Sequence, residues 1–368
     1  MPAPTISITS VGSLVGSAIL DSLEHRRSGL RIIGYNSLAD SPNNFRVDEA
    51  HLLPPAAEKD AYKRALVARL EQDRPDIVLS GRDEDIGILA ELKAAGGVDQ
   101  VTIVAPSLTV IDILNDKYAT YNFANENGLP FARSAIDRAG AERIARDTGF
   151  PIMCKVRKGG HASRGVYICR DMDDLDRADR SGNEFLFQEF LARPERIEEK
   201  LPNLDFGIPW FFAYAEETQY SVQVLMNENG KPLSTFSAVS HFENGRSLRV
   251  ETVDDPRLEE TGLAYAEALA RKGFFGPLSI QVKKLPDGSY AGIELNGRFV
   301  GGTYARALLG YREVEFLVDY LLSGTLPPAG PFSDAGTYVV RPPTSILMDR
   351  GTVESLQRTG SWPVKPPR

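Results

Sequence analysis

The sequence predicts a mixed fold, an α/β domain with a parallel sheet at the N-terminus followed by α+β subdomains. Three observations carry that prediction. Residues 1–105 alternate short β-branched runs with helix-length runs, the order of a parallel sheet covered by helices on both faces. Further on, two apolar runs, IMCKVR and VYICR, flank a glycine-rich cationic loop from Lys158 to Gly165. Finally, Gly276 to Arg306 reads as two alternating strands joined by Asp287-Gly288, a strong hairpin signal.

Each element has its own warrant. Thr5–Thr9 is a short strand, and the turn Val11-Gly12-Ser13 leads into a helix over Leu14–His25. The segment SVGSLVG is not G-x-G-x-x-G and no acidic partner follows the second strand, so a tight strand-to-helix turn is its expected meaning. A strand at Leu30–Tyr35, a helix at Ala61–Gln72, a strand at Asp76–Ser80, a helix at Glu84–Ala95 and a strand at Val101–Val104 complete the series. The cluster GRDEDI sits where parallel sheets place ligand loops. Its acids also suit a helix N-terminus, and capping is the preferred reading.

Residues 106–135 carry two helices, the second capped by Asn115 or Asp116 and ended by Gly128-Leu129-Pro130. Phe185–Leu191 is a strand with an amide and a carboxylate near its end. Residues 193–217 form a Pro- and Glu-rich excursion with its own aromatics. Gln219–Met226 alternates as a strand, and Pro256–Lys272 carries an apolar stripe at helical spacing. A helix over Val314–Ser323 follows the hairpin, and the tail from Leu326 is rich in proline and glycine.

Composition narrows the classes. The chain has 368 residues, 42% hydrophobic and 25% charged, with a net charge of −8. An acidic chain without a basic stripe argues against nucleic acid as a partner. No apolar run is long enough to span a membrane, and no signal peptide is seen, so a cytoplasmic protein is expected. Cys154 and Cys169 lie in apparent strands and read as buried free thiols, and the four histidines show no metal spacing.

The hairpin is where chemistry enters. Strand side chains alternate, so Leu278, Ile280 and Val282 share one face while Ser279, Gln281 and Lys283 share the other. On the second strand Ala291, Ile293 and Leu295 oppose Glu294 and Asn296. A turn centred on Asp287-Gly288 sets Gln281 across from Glu294. Such a face either meets water or presents a carboxylate and two amide oxygens, a hard-oxygen set suited to magnesium. Arg298 follows, where a planar cation could grip phosphate oxygens, and Gly301-Gly302 would let a ligand approach the backbone. The glycine loop could lay backbone N–H groups over phosphates or could simply turn a hairpin.

With these motifs in order, the stretch from Asp116 to Gly310 resembles the ATP-grasp superfamily, in the branch of the carbamoyl-phosphate synthetase large subunit and stand-alone carboxylate–amine ligases. QVKKLPDGSYAGIELNGRFVGGTYARALLGY carries most of the resemblance. Relatives have E-x-N-P-R-x-G-G-G; here Gly297 replaces the proline and Val300 the first glycine. The resemblance implies a pre-ATP-grasp domain at 1–110, a small ATP-grasp subdomain at 111–187, a C-terminal subdomain at 188–325 and a tail at 326–368.

It also implies roles. Lys117, in the D-K pair, would reach the nucleotide phosphates, and Lys155 would contact phosphate and the adenine side. Lys158, Gly159, Gly160 and Ser163 would belong to the phosphate-covering loop. In the hinge strand Gln188, Glu189 and the backbone of Leu191 would meet the nucleotide. Gln219, where relatives carry glutamate, would bond ribose hydroxyls. Gln281, Glu294 and Asn296 would hold two magnesium ions, for which manganese could substitute. Arg298 would be catalytic, holding the transferring phosphoryl group, with Gly301, Gly302 and Thr303 near the acyl phosphate. The implied enzyme is a carbon–nitrogen ligase that uses ATP to join a small-molecule carboxylate, amino acids included, to an amine. Bicarbonate or carbamate activation and a catalytically silent ATP-binding module are the alternatives, and a homodimer is the common assembly. Arg306, Arg246, Arg249 and His241 are candidates for gripping the acid.

Overall fold

A computed structural model describes residues 3–159, 165–191, 208–209, 217–243, 246–332, 336–342, 346 and 348–362. The first sheet is built from Thr5–Ile8 (β1), Arg31–Asn36 (β2), Glu49–Leu52 (β3), Ile77–Leu79 (β4) and Thr102–Ile103 (β5), all parallel, in the order β3-β2-β1-β4-β5. Helix α1 (Leu14–Leu23) covers one face. Helices α2 (Lys59–Asp73) and α3 (Asp83–Ala94) cover the other, with Leu66, Leu70 and Leu89 against Ile33 and Val78. The turn before α1 is the expected strand-to-helix turn, with Ser13 accepting from Gly16 N as the cap.

The parallel expectation needs one correction. The sheet gains an antiparallel sixth strand, Ser361–Trp362 (β17), from the far end of the chain, paired with β3. Neither β3 nor this partner was legible, because EAHL and SW are too short and mixed to show a period of two. Trp362 packs half-buried against the N-terminal core and meets Phe45 edge-on at 5.1 Å. The preceding helix, Arg350–Thr359 (α11), buries Leu356. Trp362→Ala should therefore cost about 2–4 kcal/mol in urea unfolding, a partial version of a core aromatic truncation. A change below the error of the melt would mean that β17 is not held.

The second sheet is antiparallel: Ser134–Ala135 (β6), Ile152–Val156 (β7), Val166–Cys169 (β8), Phe185–Gln188 (β9) and Ile208–Pro209 (β10), in the order β10-β8-β7-β9-β6. Helices α6 (Arg138–Thr148) and α7 (Met172–Arg180) cover it, and both cysteines are free and buried beneath them. Apart from Ile208–Pro209 and Glu217, the 193–217 excursion lies outside the described residues. Between the two sheets run α4 (Leu108–Asn115) and α5 (Lys117–Glu126).

The third sheet holds Glu217–Met226 (β11), Pro232–Glu243 (β12), Arg246–Thr252 (β13), Gly276–Lys284 (β14), Tyr290–Asn296 (β15) and Tyr338–Val340 (β16), in the order β15-β14-β11-β12-β13-β16. One face packs under α8 (Pro256–Ala270), where Leu258, Tyr265 and Leu269 meet Val222, Ile280 and Val282. The opposite face is covered at one end by α9 (Thr303–Leu308), whose Ala305 meets Phe236, Ala238 and Val250. Leu225, Phe275, Phe299 and three residues of α10 (Glu313–Ser323) join the same core as β1 and α1, so the first and third sheets share one hydrophobic interior. The other end of that face carries Gln219, Gln281 and Glu294. No described helix is long and apolar enough to cross a membrane.

Candidate active site

The hairpin has the expected register, Gln281 opposite Glu294, but a bulge lies beside it: Val282 pairs with Gly292, leaving Ile293 as an extra residue. A bulge re-aims the side chains next to it. Ile293 was expected to share the core face with Ala291 and Leu295. It is instead half-buried and lines the same cavity as Glu294 and Asn296.

That cavity encloses about 260 Å³. Asp83 and Glu84 in the first turn of α3 form one wall, and the end of α4 supplies Leu114 and Asn115. Lys117 comes from the start of α5, Lys158 and Gly159 from the stretch after β7 and Gln188 from the end of β9, and Ile293–Gly297 form the floor. Lys117 is placed by its neighbour. Asp116 caps α5 through Tyr118 N at 2.9 Å and takes a two-pronged contact from Arg157 at 2.8 and 2.6 Å, with Lys158 Nζ at 3.6 Å. Burial pushes the Asp116 carboxyl up, but the Arg157 and backbone donors outweigh it and hold it below the usual range.

Lys155 is not among the cavity-lining residues but bonds to one of them. Its Nζ donates to Gln188 Oε1 at 2.7 Å, and Gln188 Nε2 donates to Ser134 Oγ at 3.1 Å. Gln188 thus orients the lysine rather than extending freely. Burial pushes Lys155 down to about 8; the Glu294 carboxylate pulls it back and Lys117 repels it. A second lysine was missed. Lys283 is buried, donates to Thr218 O at 3.0 Å, and is pushed down to about 7 by burial and by Lys155. Its signal was its place on the polar face two residues beyond Gln281. Gln219 Nε2 donates to Gln281 Oε1, which ties the residue in the usual glutamate position to the magnesium-ligand candidate.

Several expected residues lie elsewhere. Glu189 is not among the cavity residues; its carboxylate accepts from Arg133 N at 2.8 Å and Arg133 Nε at 2.9 Å. Leu191 is the last described residue of its stretch, and Gly160 and Ser163 fall outside the described residues. Arg298 is gripped side-on by Asp83, Nε to Oδ1 at 2.6 Å and Nη2 to Oδ2 at 2.5 Å. The acids of GRDEDI do stand in the first turn of α3, as the capping reading expects, although Arg82 at the cap makes no side-chain cap bond; beyond that, Asp83 holds Arg298, and buried Asp85 accepts from Thr9 Oγ1 at 2.9 Å and Tyr62 at 3.0 Å.

The glycines of this segment answer to the protein's own packing. A Cβ on Gly301 would come within 2.6 Å of Leu14, and one on Gly302 within 3.0 Å of Arg306. A Cβ on Gly297, which stands where relatives carry proline, would lie 2.6 Å from Leu114 Cδ1, so a larger residue there requires the Leu114 side chain to shift. Thr303 is buried and its Oγ1 accepts from Val300 N at 3.2 Å and Arg306 Nη2 at 3.1 Å. Arg306 pairs with Glu313 in the interior. His241 and Arg249 bind Glu251 at 2.8 and 2.9 Å, and strand alternation puts them on the face away from Gln281. The side chain of Arg246 lies outside the described residues.

The donor set fits magnesium. Glu294 and Asn296 hydrogen-bond no described side chain, and both face the cavity. Together with Gln281 they offer hard oxygens beside cationic lysines that suit phosphate. Another cluster, Glu49, His51 and Asp73, was not foreseen from histidine spacing. Arg69 already sits within it, bonding Asp73 at 2.6 Å and touching His51. Burial and Arg69 push His51 down despite its acidic neighbours.

No family model matches the chain. It is 28% identical over 186 residues to the 2-oxoglutarate carboxylase small subunit of Hydrogenobacter thermophilus, covering 45% of this chain and 38% of that protein. It is 25% identical over 194 residues to the mitochondrial propionyl-CoA carboxylase alpha chain of Mus musculus, covering 47% and 26%. The chain thus spans well under half the length of these curated relatives. Among solved structures, the biotin carboxylase domain of the Hydrogenobacter thermophilus 2-oxoglutarate carboxylase, a dimer in complex with MgADP, ADP and bicarbonate, matches with a TM-score of 0.66, 16% identity and coverage of 92% and 74%. The N5-carboxyaminoimidazole ribonucleotide synthetase from Thermotoga maritima matches with a TM-score of 0.60, 20% identity and coverage of 88% and 77%.

Proposed function

We propose that this chain, whose fold is the ATP-grasp fold, is an ATP- and magnesium-dependent ligase that activates a small carboxylate as an acyl phosphate and joins it to an amine. The observation that supports it most is the convergence of Glu294, Asn296, Lys117, Lys158 and Gln188 around one cavity, with Gln281 opposite Glu294 in the hairpin and Lys155 bonded to Gln188. The four-part division at 110, 187 and 325, and a homodimer, belong to the same proposal.

Hydroxide is a poor leaving group, so an amine attacks a free carboxylate slowly. In the proposed reaction a carboxylate oxygen attacks the γ-phosphorus and ADP departs. The amine then attacks the acyl carbon, phosphate departs, and the amine proton is lost. Phosphoryl transfer needs in-line positioning and charge neutralisation more than covalent help. Lys117, Lys155 and Lys158 would hold phosphate oxygens, with Gln188 fixing the Lys155 ammonium. Magnesium, held by Glu294, Asn296 and Gln281, would neutralise charge on the β- and γ-phosphates. Asp116 and Arg157 keep Lys117 and Lys158 beside the cavity mouth.

The test is ADP release with magnesium against a panel of acids and amines. Release that depends on one acid and one amine is expected; none across a broad panel would defeat the ligase reading. The carboxylase relatives favour a second reading, in which bicarbonate is the acid. Isotope from labelled bicarbonate entering product would select it.

A further inference from the structure

We propose that Asp83 is a built-in competitor for the substrate anion: it occupies the edge of Arg298 that a carboxylate, bicarbonate included, must take to be held. Three observations lead there. The Arg298–Asp83 contact uses Nε and Nη2 together, the side-on fork by which arginine binds a free carboxylate. The third nitrogen, Nη1, donates to Phe299 O at 3.1 Å, so the best donor edge is already filled. Asp83 also lines the cavity beside Glu294, Asn296 and Gly297, where an acid awaiting phosphorylation would lie.

Exchange must be a side-chain event. Phe299, next to Arg298, is buried in the core shared with β1 and α1, so the two backbones stay together. Asp83 is the more exposed partner: its side chain is 32% exposed and that of Arg298 15%. Once displaced, Asp83 stays in the first turn of α3, where the helix N-terminus favours a carboxylate. Asp83 would therefore set a threshold: weak anions leave Arg298 occupied, and an anion with additional contacts in the cavity displaces it. Asp83 is in this sense a specificity-determining residue.

The inference rests on the ligase reading for which anion matters, but its test needs no turnover. Thermal stabilisation of the whole protein is titrated with bicarbonate, and separately with acetate, for the wild type, Asp83→Asn, Asp83→Ser and Asp83→Asn/Arg298→Gln. The half-saturating concentration should fall about tenfold in Asp83→Asn, the scale of one lost charged competitor, and the response should vanish in the double variant. Asp83→Ser repeats the measurement with a smaller side chain should Asp83→Asn fail to fold. Equal half-saturation in the wild type and both single variants, or a response that survives Arg298→Gln, would overturn the proposal. A tenfold fall without ADP release in the substrate panel would leave the anion site standing and the ligase reading in trouble.

Discussion

Glu294→Gln should lower substrate-dependent ADP release by about a thousandfold while the protein stays folded, because several kcal/mol of charge stabilisation act at the transferring group. Glutamine keeps the shape and one oxygen, so packing against Ile293 and Leu295 changes little. What disappears is a negative charge that faces Lys155 and belongs to the hard-oxygen set. The variant should unfold within about 0.5 kcal/mol of the wild type, since the Glu294 side chain makes no hydrogen bond with a described residue. Release at the wild-type rate would remove Glu294 from the metal set. Equal loss of folding would make the comparison uninformative, and Asn296→Asp, which adds charge at the same floor, then supplies the second measurement through a changed magnesium requirement.

The second large effect is on Lys155. Lys155→Met should weaken ATP binding by about 10- to 100-fold, the loss of one charge-assisted contact to phosphate. The pH dependence separates this from a packing effect. Folding lowers the lysine from its ordinary value to about 8, so between that pH and the unfolded value the unfolded chain binds more protons. Stability of the protein without nucleotide should therefore rise as pH increases from about 8 towards 10. ATP affinity should move the other way, falling over the same window as the ammonium is lost. In Lys155→Met both slopes should flatten at this group's expense. An ATP affinity independent of pH from 7 to 9.5, measured by calorimetry, would mean that Lys155 does not hold phosphate.

How far the sequence reached can be read from particular residues. Period-two alternation located both strands of the hairpin, and the Asp287-Gly288 turn fixed Gln281 against Glu294. Alternation could not show the bulge, because an extra residue such as Ile293 leaves no mark in composition. Asp116 as a cap was visible because capping is local. The Asp83–Arg298 and Arg133–Glu189 contacts were not, because they join residues 215 and 56 positions apart. Gly301 and Gly302 were read as letting a ligand approach the backbone; the neighbours the fold places against them are Leu14 and Arg306, which the sequence could not name because they are set by tertiary packing. Burial of Lys283 was hidden for the same reason, since a strand pattern says which face a side chain takes and not what lies over it.

The strand Ser361–Trp362 has a bearing on the order of synthesis. Its partner β3 emerges about 300 residues earlier, so at ordinary translation rates that edge waits roughly 15–60 s for its cover. During that interval the nascent N-terminal sheet presents an unpaired edge, the kind of surface that recruits other strands. Pairing across such a separation carries a high contact order, which slows the last step of assembly. The segment Ser361–Trp362 thus decides when the edge of the N-terminal sheet becomes safe from association, as well as how stable that sheet finally is.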